Sequence, residues 1–292
     1  MKRRLTIISL LWGFLSPLTA GDLAPPIGGR FPERGPKSKV TGILGPKGAL
    51  ILVYQSAGPE PSEIQTNREA LRKLGLGIAA VPSKIHPGWY VLDARGIIVA
   101  KYLDDAAGGR YTPAAILVRQ FAWSPPEPAV EVQGKQLTAK AGASDAAVAP
   151  GERVTLMLDI DLQPSMHVYA PGIDGGYISI DWKMQDSQSA AVHPAIFPRS
   201  EKLYLKAIGE TVPAYRGHFR LTRDITIPPE DQLRPALDAS GSFTVPGSLR
   251  YQACDDRLCY IPQELHLTWM FQYEALDKQR VPPELQLQAP AP

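Results

Sequence analysis

The chain has only two cysteines, Cys254 and Cys259, in 292 residues. So small a number excludes a multi-bridge secreted scaffold and any zinc site built on four cysteines. The five histidines (His86, His167, His193, His218 and His266) show no ligand spacing beside that pair, so metal binding is not expected. After the first 18 residues no segment reaches the roughly 18 uninterrupted apolar residues of a membrane-crossing helix. Neither sign of charge prevails: 31 Lys and Arg against 29 Asp and Glu leave a net +2. Nothing in that balance asks for nucleic acid or an acidic surface as partner. Strong helical periods are few and internal repeats absent, while the 29 prolines favour strands, turns and linkers over a helical bundle.

What is present begins with an export signal over residues 1–20. Lys2, Arg3 and Arg4 form its basic start, residues 5–18 its apolar run, and Thr19-Ala20 its small-residue end. The mature protein is therefore expected in the periplasm or secreted, where paired cysteines oxidise. Its remaining length of about 270 residues suggests two domains of ordinary size.

Residues 21–38 read as an irregular lead-in. From 39 to 122 the pattern is a small α/β unit. It has an apolar strand at 49–54, a helix at 62–74 and a second strand at 76–81. A hairpin follows around Asp93-Ala-Arg-Gly96, then a closing helix at 112–121 with Pro113 in its first turn. Residues 123–129, Trp-Ser-Pro-Pro-Glu-Pro-Ala, form a proline linker and the expected boundary. Beyond it the pattern is all-β. Val154, Leu156, Leu158, Ile160 and Leu162 alternate with mostly polar neighbours, and shorter alternating stretches occur at 178–182, 217–227, 242–251 and 265–271. Several such strands separated by turn residues predict an immunoglobulin-like β-sandwich over 130–275. Residues 276–292 read as a disordered tail.

The cysteine pair closes a loop of only four intervening residues. In the chain-entropy picture such a crosslink stabilises by roughly 2 kcal/mol, against about 4–5 kcal/mol for a loop near 100 residues. A staple for a sandwich would do better joining distant strands, so exchange chemistry competes with a local staple, and a metal clip is a third reading. Asp255 and Asp256 between the sulfurs disfavour a thiolate, and Arg257 offsets part of this. Such a pair is a poor attacking nucleophile but a serviceable target for a partner's thiolate.

Three motifs in the second half carry a family resemblance. They are Met166-His-Val-Tyr-Ala-Pro-Gly172, then Ile208-Gly-Glu-Thr-Val212 with Tyr215-Arg-Gly217, and Tyr251-Gln-Ala-Cys254 with Cys259-Tyr-Ile-Pro262. This half resembles the N-terminal periplasmic domain of the thiol:disulfide interchange protein DsbD. The resemblance implies an immunoglobulin-like fold and a redox-active Cys254–Cys259 disulfide as the exchanging pair. It implies thioredoxin-like periplasmic oxidoreductases and a separate membrane electron donor as partners, and no cofactor. It further implies a cap loop over the disulfide, with residues 203–209 as counterpart. Tyr169, Tyr204, Tyr251 and Tyr260 are the candidates for lining the site.

The first half is similar to a thioredoxin-like domain of the peroxiredoxin (AhpC/TSA) group. The matching stretches are Leu50-Ile-Leu-Val-Tyr-Gln-Ser-Ala57, Asn67-Arg-Glu-Ala-Leu-Arg-Lys73, Gly77-Ile-Ala-Ala-Val81 and His86-Pro-Gly-Trp-Tyr-Val-Leu-Asp-Ala-Arg-Gly96. Where such domains place their reactive cysteine this chain has Gly58-Pro-Glu-Pro-Ser62, so the domain is degenerate and peroxidase activity is not expected. The competing reading of the whole chain is a non-enzymatic envelope scaffold whose disulfide is structural.

Overall fold

The computed structural model describes residues 24–31, 43–54, 62–82, 85–104, 109–126, 129–173, 175–185, 189–205 and 209–275. The expected signal and tail lie outside them, as do most of the lead-in, most of the cysteine-free loop and residues 206–208 of the expected cap loop. The fold is mostly β-sheet with few helices, in two units that divide between Leu103 and Asp104.

The first unit contains β1 (Gly48–Tyr54), α1 (Ser62–Lys73), β2 (Leu76–Pro82), β3 (Gly88–Leu92) and β4 (Ile98–Leu103). Strand order is β2-β1-β3-β4, with β1 parallel to β2 and antiparallel to β3. Ala49 to Val53 are all fully buried in central β1, as a strand apolar on both faces requires. The β3–β4 hairpin turns at Asp93-Ala-Arg-Gly96, where the Asp93 N–H donates to the Ile97 carbonyl at 2.9 Å. Gly96 closes the turn with φ 79°, a conformation that costs a residue with a Cβ.

The second unit starts with β5 (Arg110–Tyr111), α2 (Pro113–Phe121), β6 (Val130–Gln133), β7 (Leu137–Ala143), β8 (Ala147–Val148) and β9 (Glu152–Leu162). It continues through β10 (His167–Tyr169), β11 (Asp181–Met184), β12 (Ala191–Ile196), β13 (Glu201–Leu205), β14 (Glu210–Arg216) and β15 (His218–Thr226). After the short α3 (Glu230–Leu233) come β16 (Ser242–Tyr251), β17 (Ala253–Cys254) and β18 (Gln263–Tyr273). One sheet runs β12-β15-β9-β7-β6 with β5 joined to β9, a second runs β11-β16-β18-β8, and a third β13-β14-β10-β17.

A single apolar cluster takes Leu156, Leu158, Ile160, Leu221 and Ile225 from the first of these sheets and Val245, Leu249, Trp269 and Phe271 from the second. Trp182 stacks on Trp269 with ring centroids 5.5 Å apart, and the Trp269 indole N–H donates to the Gly142 carbonyl at 2.9 Å. That bond removes the cost of burying the indole's polar edge. The alternating residues 154, 156, 158, 160 and 162 all face inward. Thr155 and Met157, which alternation alone would leave in water, are buried too. Thr155 hydrogen-bonds Asp224 on the facing strand, and α2 packs against β9.

The closing helix of the first half thus stands in the second unit, and the division precedes the proline linker. Polar anchors explain the difference. The Thr112 hydroxyl caps α2 by accepting from the Ala115 N–H at 3.1 Å and donates to Asp145 at 2.7 Å. Arg119, in the last turn, pairs with Asp224 on β15. The linker is held as well: Arg220 donates to the Trp123 carbonyl at 3.1 Å and to the Ser124 hydroxyl at 2.9 Å. Thr112→Ala should therefore lower the stability of the second unit by about 1 kcal/mol, measurable as a shifted urea midpoint with unchanged slope. The stretch expected to form a strand at 178–182 instead enters β11 only at Asp181. Ile180 first donates its N–H to the Tyr169 carbonyl at 2.8 Å, which keeps the preceding residues against the end of β10.

Candidate functional site

The third sheet of the second unit carries both cysteines at its edge. Cys254 ends β17, and after a four-residue turn Cys259 returns opposite it in an antiparallel bridge, with Cα atoms 4.0 Å apart and the sulfurs bonded. The turn is built by Asp255. Its Oδ1 accepts the Arg257 and Leu258 N–H groups at 2.7 and 2.9 Å, and its Oδ2 accepts the Tyr260 hydroxyl at 3.0 Å. These backbone donors hold the Asp255 carboxyl below the usual carboxylate range. Its charge is thereby spent on the turn as well as on the sulfurs.

The two sulfur-bearing residues differ sharply in exposure. Cys254 is 1% exposed, packed with Tyr169 and Val212 in a small apolar cluster. Cys259 is exposed. A cavity of about 430 Å³ opens on the pair, lined by His167, Tyr169, Tyr177, Tyr204, Leu205 and residues 254–259. The buried Tyr169 hydroxyl lies 3.6 Å from Cys259 Sγ, and burial pushes its pKa up, so it remains a donor. Tyr177 packs against Tyr169 at 4.8 Å between ring centroids and donates to Glu210 at 2.7 Å, a bond that pushes its hydroxyl up to about 12. Tyr204, on β13, is 59% exposed at the cavity's rim.

Of the candidate lining residues, Tyr169 and Tyr204 are brought to the sulfurs and two are not. Tyr251 is fully buried in the main apolar cluster, because its place in β16 turns it inward with Phe243, Val245 and Leu249. Tyr260 lies outside the cavity lining and braces Asp255, whose hydrogen bond pushes the Tyr260 hydroxyl up. His167 and Tyr177, which are not among the sequence candidates, also belong to the lining. For His167 the signal was present in its position two residues before Tyr169, on the same strand face. Tyr177 follows a glycine turn and had no comparable signal. Among the described residues no group of three or more His, Cys, Asp or Glu side chains is arranged to hold a metal ion, and no helix is long and apolar enough to cross a membrane.

Residues 134–268 match the family described as "Thiol:disulfide interchange protein DsbD, N-terminal". Among solved structures, the chain is similar to the N-terminal periplasmic domain of ScsB from Proteus mirabilis at 14% identity. That alignment covers 49% of this chain and 51% of the other, so it spans about half of the ScsB chain, with a TM-score of 0.35. The reduced DsbD N-terminal domain of Neisseria meningitidis aligns at 14% identity over 52% of this chain and 98% of the other, with a TM-score of 0.28. No curated protein matches. A disulfide-forming cysteine pair in such a domain fits thiol–disulfide exchange, and it is the N-terminal domain of DsbD that the chain resembles over residues 134–268.

Proposed function

We propose that residues 130–275 form an immunoglobulin-like exchange module of the periplasm. It would relay electrons from a separate membrane donor to thioredoxin-like acceptors through Cys254 and Cys259. The asymmetry of the pair carries this reading: both residues line one cavity, but Cys259 is exposed and Cys254 is 1% exposed. A donor thiolate attacks Cys259 Sγ, the Cys254–Cys259 bond breaks, and its electron pair leaves on Cys254. The donor's second thiol then attacks the donor sulfur of the mixed disulfide, which oxidises the donor and leaves both cysteines reduced. Delivery is the reverse sequence on an acceptor disulfide. The Tyr169 hydroxyl, 3.6 Å from Cys259, is placed to donate to a thiolate there.

The first unit, in this reading, is a degenerate thioredoxin-like domain without thiol chemistry, retained for docking or spacing. Its parallel β1–β2 pair joined by α1 and followed by an antiparallel hairpin supports that view. The competing scaffold reading, with a structural disulfide, is separated by a redox titration in glutathione buffers. The midpoint should lie above about −300 mV. A value well below it would mark the bond as structural and end the exchange reading.

A further inference from the structure

The proposed exchange leaves one group at the site without a task. His167 is 2% exposed, and its Nε2 is buried with no hydrogen-bond partner among the described residues. A buried polar atom left unpaired costs on the order of 1–3 kcal/mol, so its retention asks for a reason. His167 and Cys254 are register partners across β10 and β17, which sends both side chains off the same face of the sheet, and both line the cavity. Tyr169, two residues along the same strand, packs edge-on against the ring at 5.5 Å.

We infer that His167 handles the proton of Cys254, the sulfur that solvent cannot reach directly. This deepens the exchange reading and rests on it. In the delivery step Cys259 is joined to the acceptor's sulfur and Cys254 is a thiol. The neutral imidazole takes the Cys254 proton, and the resulting thiolate attacks Cys259 Sγ. The Cys254–Cys259 bond forms, the bond from Cys259 to the acceptor breaks, and its electron pair departs on the acceptor's sulfur. The imidazolium then releases its proton to that thiolate or to solvent through the cavity. In the loading step the ring, protonated by the proton that the donor's thiol gives up, donates that proton to Cys254 as it leaves and returns to its neutral form.

The surroundings keep the imidazole in its neutral, proton-accepting form near pH 7. Burial lowers its pKa and Arg216, its register partner on β14, does so as well, while Asp256 and Asp255 on the disulfide turn oppose them. Glu201 pairs with Arg216 at 3.0 Å and takes up part of that charge, and Arg257 lines the same cavity.

The test uses the reduced full-length protein and 5,5′-dithiobis(2-nitrobenzoate). The first thionitrobenzoate released reports attack by the exposed sulfur, and the second reports ring closure by Cys254. His167→Gln should slow the second release at pH 7 by about tenfold or more and move its pH profile toward that of an ordinary thiol, leaving the first release near wild type. Imidazole added to His167→Ala should restore part of the rate. An unchanged second step, or a loss equal in both steps without rescue, overturns the assignment. Should neither variant fold, an NMR titration of wild-type His167 decides. Its pKa should rise when the disulfide is reduced, because thiol and ring then titrate as a coupled pair, and an unmoved pKa overturns the role. Failure of the exchange reading looks different, since the wild-type disulfide would then resist glutathione whatever stands at position 167.

Discussion

Cys254→Ser is expected to form a stable mixed disulfide with oxidised glutathione, and Cys259→Ser to form it far more slowly. The exposed Cys259 meets a small disulfide without any rearrangement, whereas Cys254 lies under Tyr169 and Val212 at 1% exposure. If reaching Cys254 takes a local opening that costs about 3 kcal/mol, its reaction is slowed on the order of 100-fold. Intact-mass spectrometry of each reduced variant over time reads the adduct directly. Either substitution should also reduce electron transfer to a thioredoxin-like acceptor to background, because one sulfur cannot close the two-electron cycle. Equal adduct rates for the two variants would remove the asymmetry on which the mechanism stands, and adduct formation with neither would remove exchange itself.

That asymmetry was not legible in the spacing of the cysteines, and the reason is physical. The motif shows two sulfurs close in sequence. Which one is buried depends on β17 pairing with β10, a partner strand far along the chain. The place of His167 is hidden in the sequence for the same cause: it becomes Cys254's neighbour only through that register. Tyr251 illustrates the opposite case. Alternation along 242–251 already turns it inward with Phe243, Val245 and Leu249, yet proximity to Cys254 in sequence suggested the site. Where local pattern suffices, as in the inward residues of β9, the hairpin at Asp93 and the start of α2 after Thr112, sequence and structure agree. The boundary between units differs because prolines mark a break in pattern. The side chains that tie α2 to the second unit meet their partners only in the folded chain.

Asp224→Ala should be the most damaging single change away from the cysteines. Asp224 is 4% exposed on β15, and its carboxylate accepts from the Tyr111 hydroxyl at 2.7 Å, the Thr155 hydroxyl at 2.8 Å and the Arg119 guanidinium. It thereby ties β5, β9 and α2 to one strand. Removing it takes the Asp224 carboxylate from the partly buried Arg119 and from the Tyr111 and Thr155 hydroxyls together, a loss of about 3–5 kcal/mol by analogy with other broken buried pairs. For a unit of this size that corresponds to a fall in Tm of roughly 6–20 °C. Pairing Asp224→Leu with Arg119→Met should cost less than the sum of the two single changes, because both members of the buried ion pair are then removed together. Alkaline pH probes the same cluster. Burial first, and then Asp224, push the Tyr111 hydroxyl up to about 12. Between an ordinary tyrosine's value near 10 and that figure, the unfolded chain gives up the proton and the folded chain keeps it. The stability tied to Tyr111 is therefore complete below about pH 10 and is lost as pH rises toward 12, and Tyr111→Phe should flatten that part of the profile. A loss below about 1 kcal/mol for Asp224→Ala, or additive behaviour of the pair, would show that the cluster does not hold α2 in place.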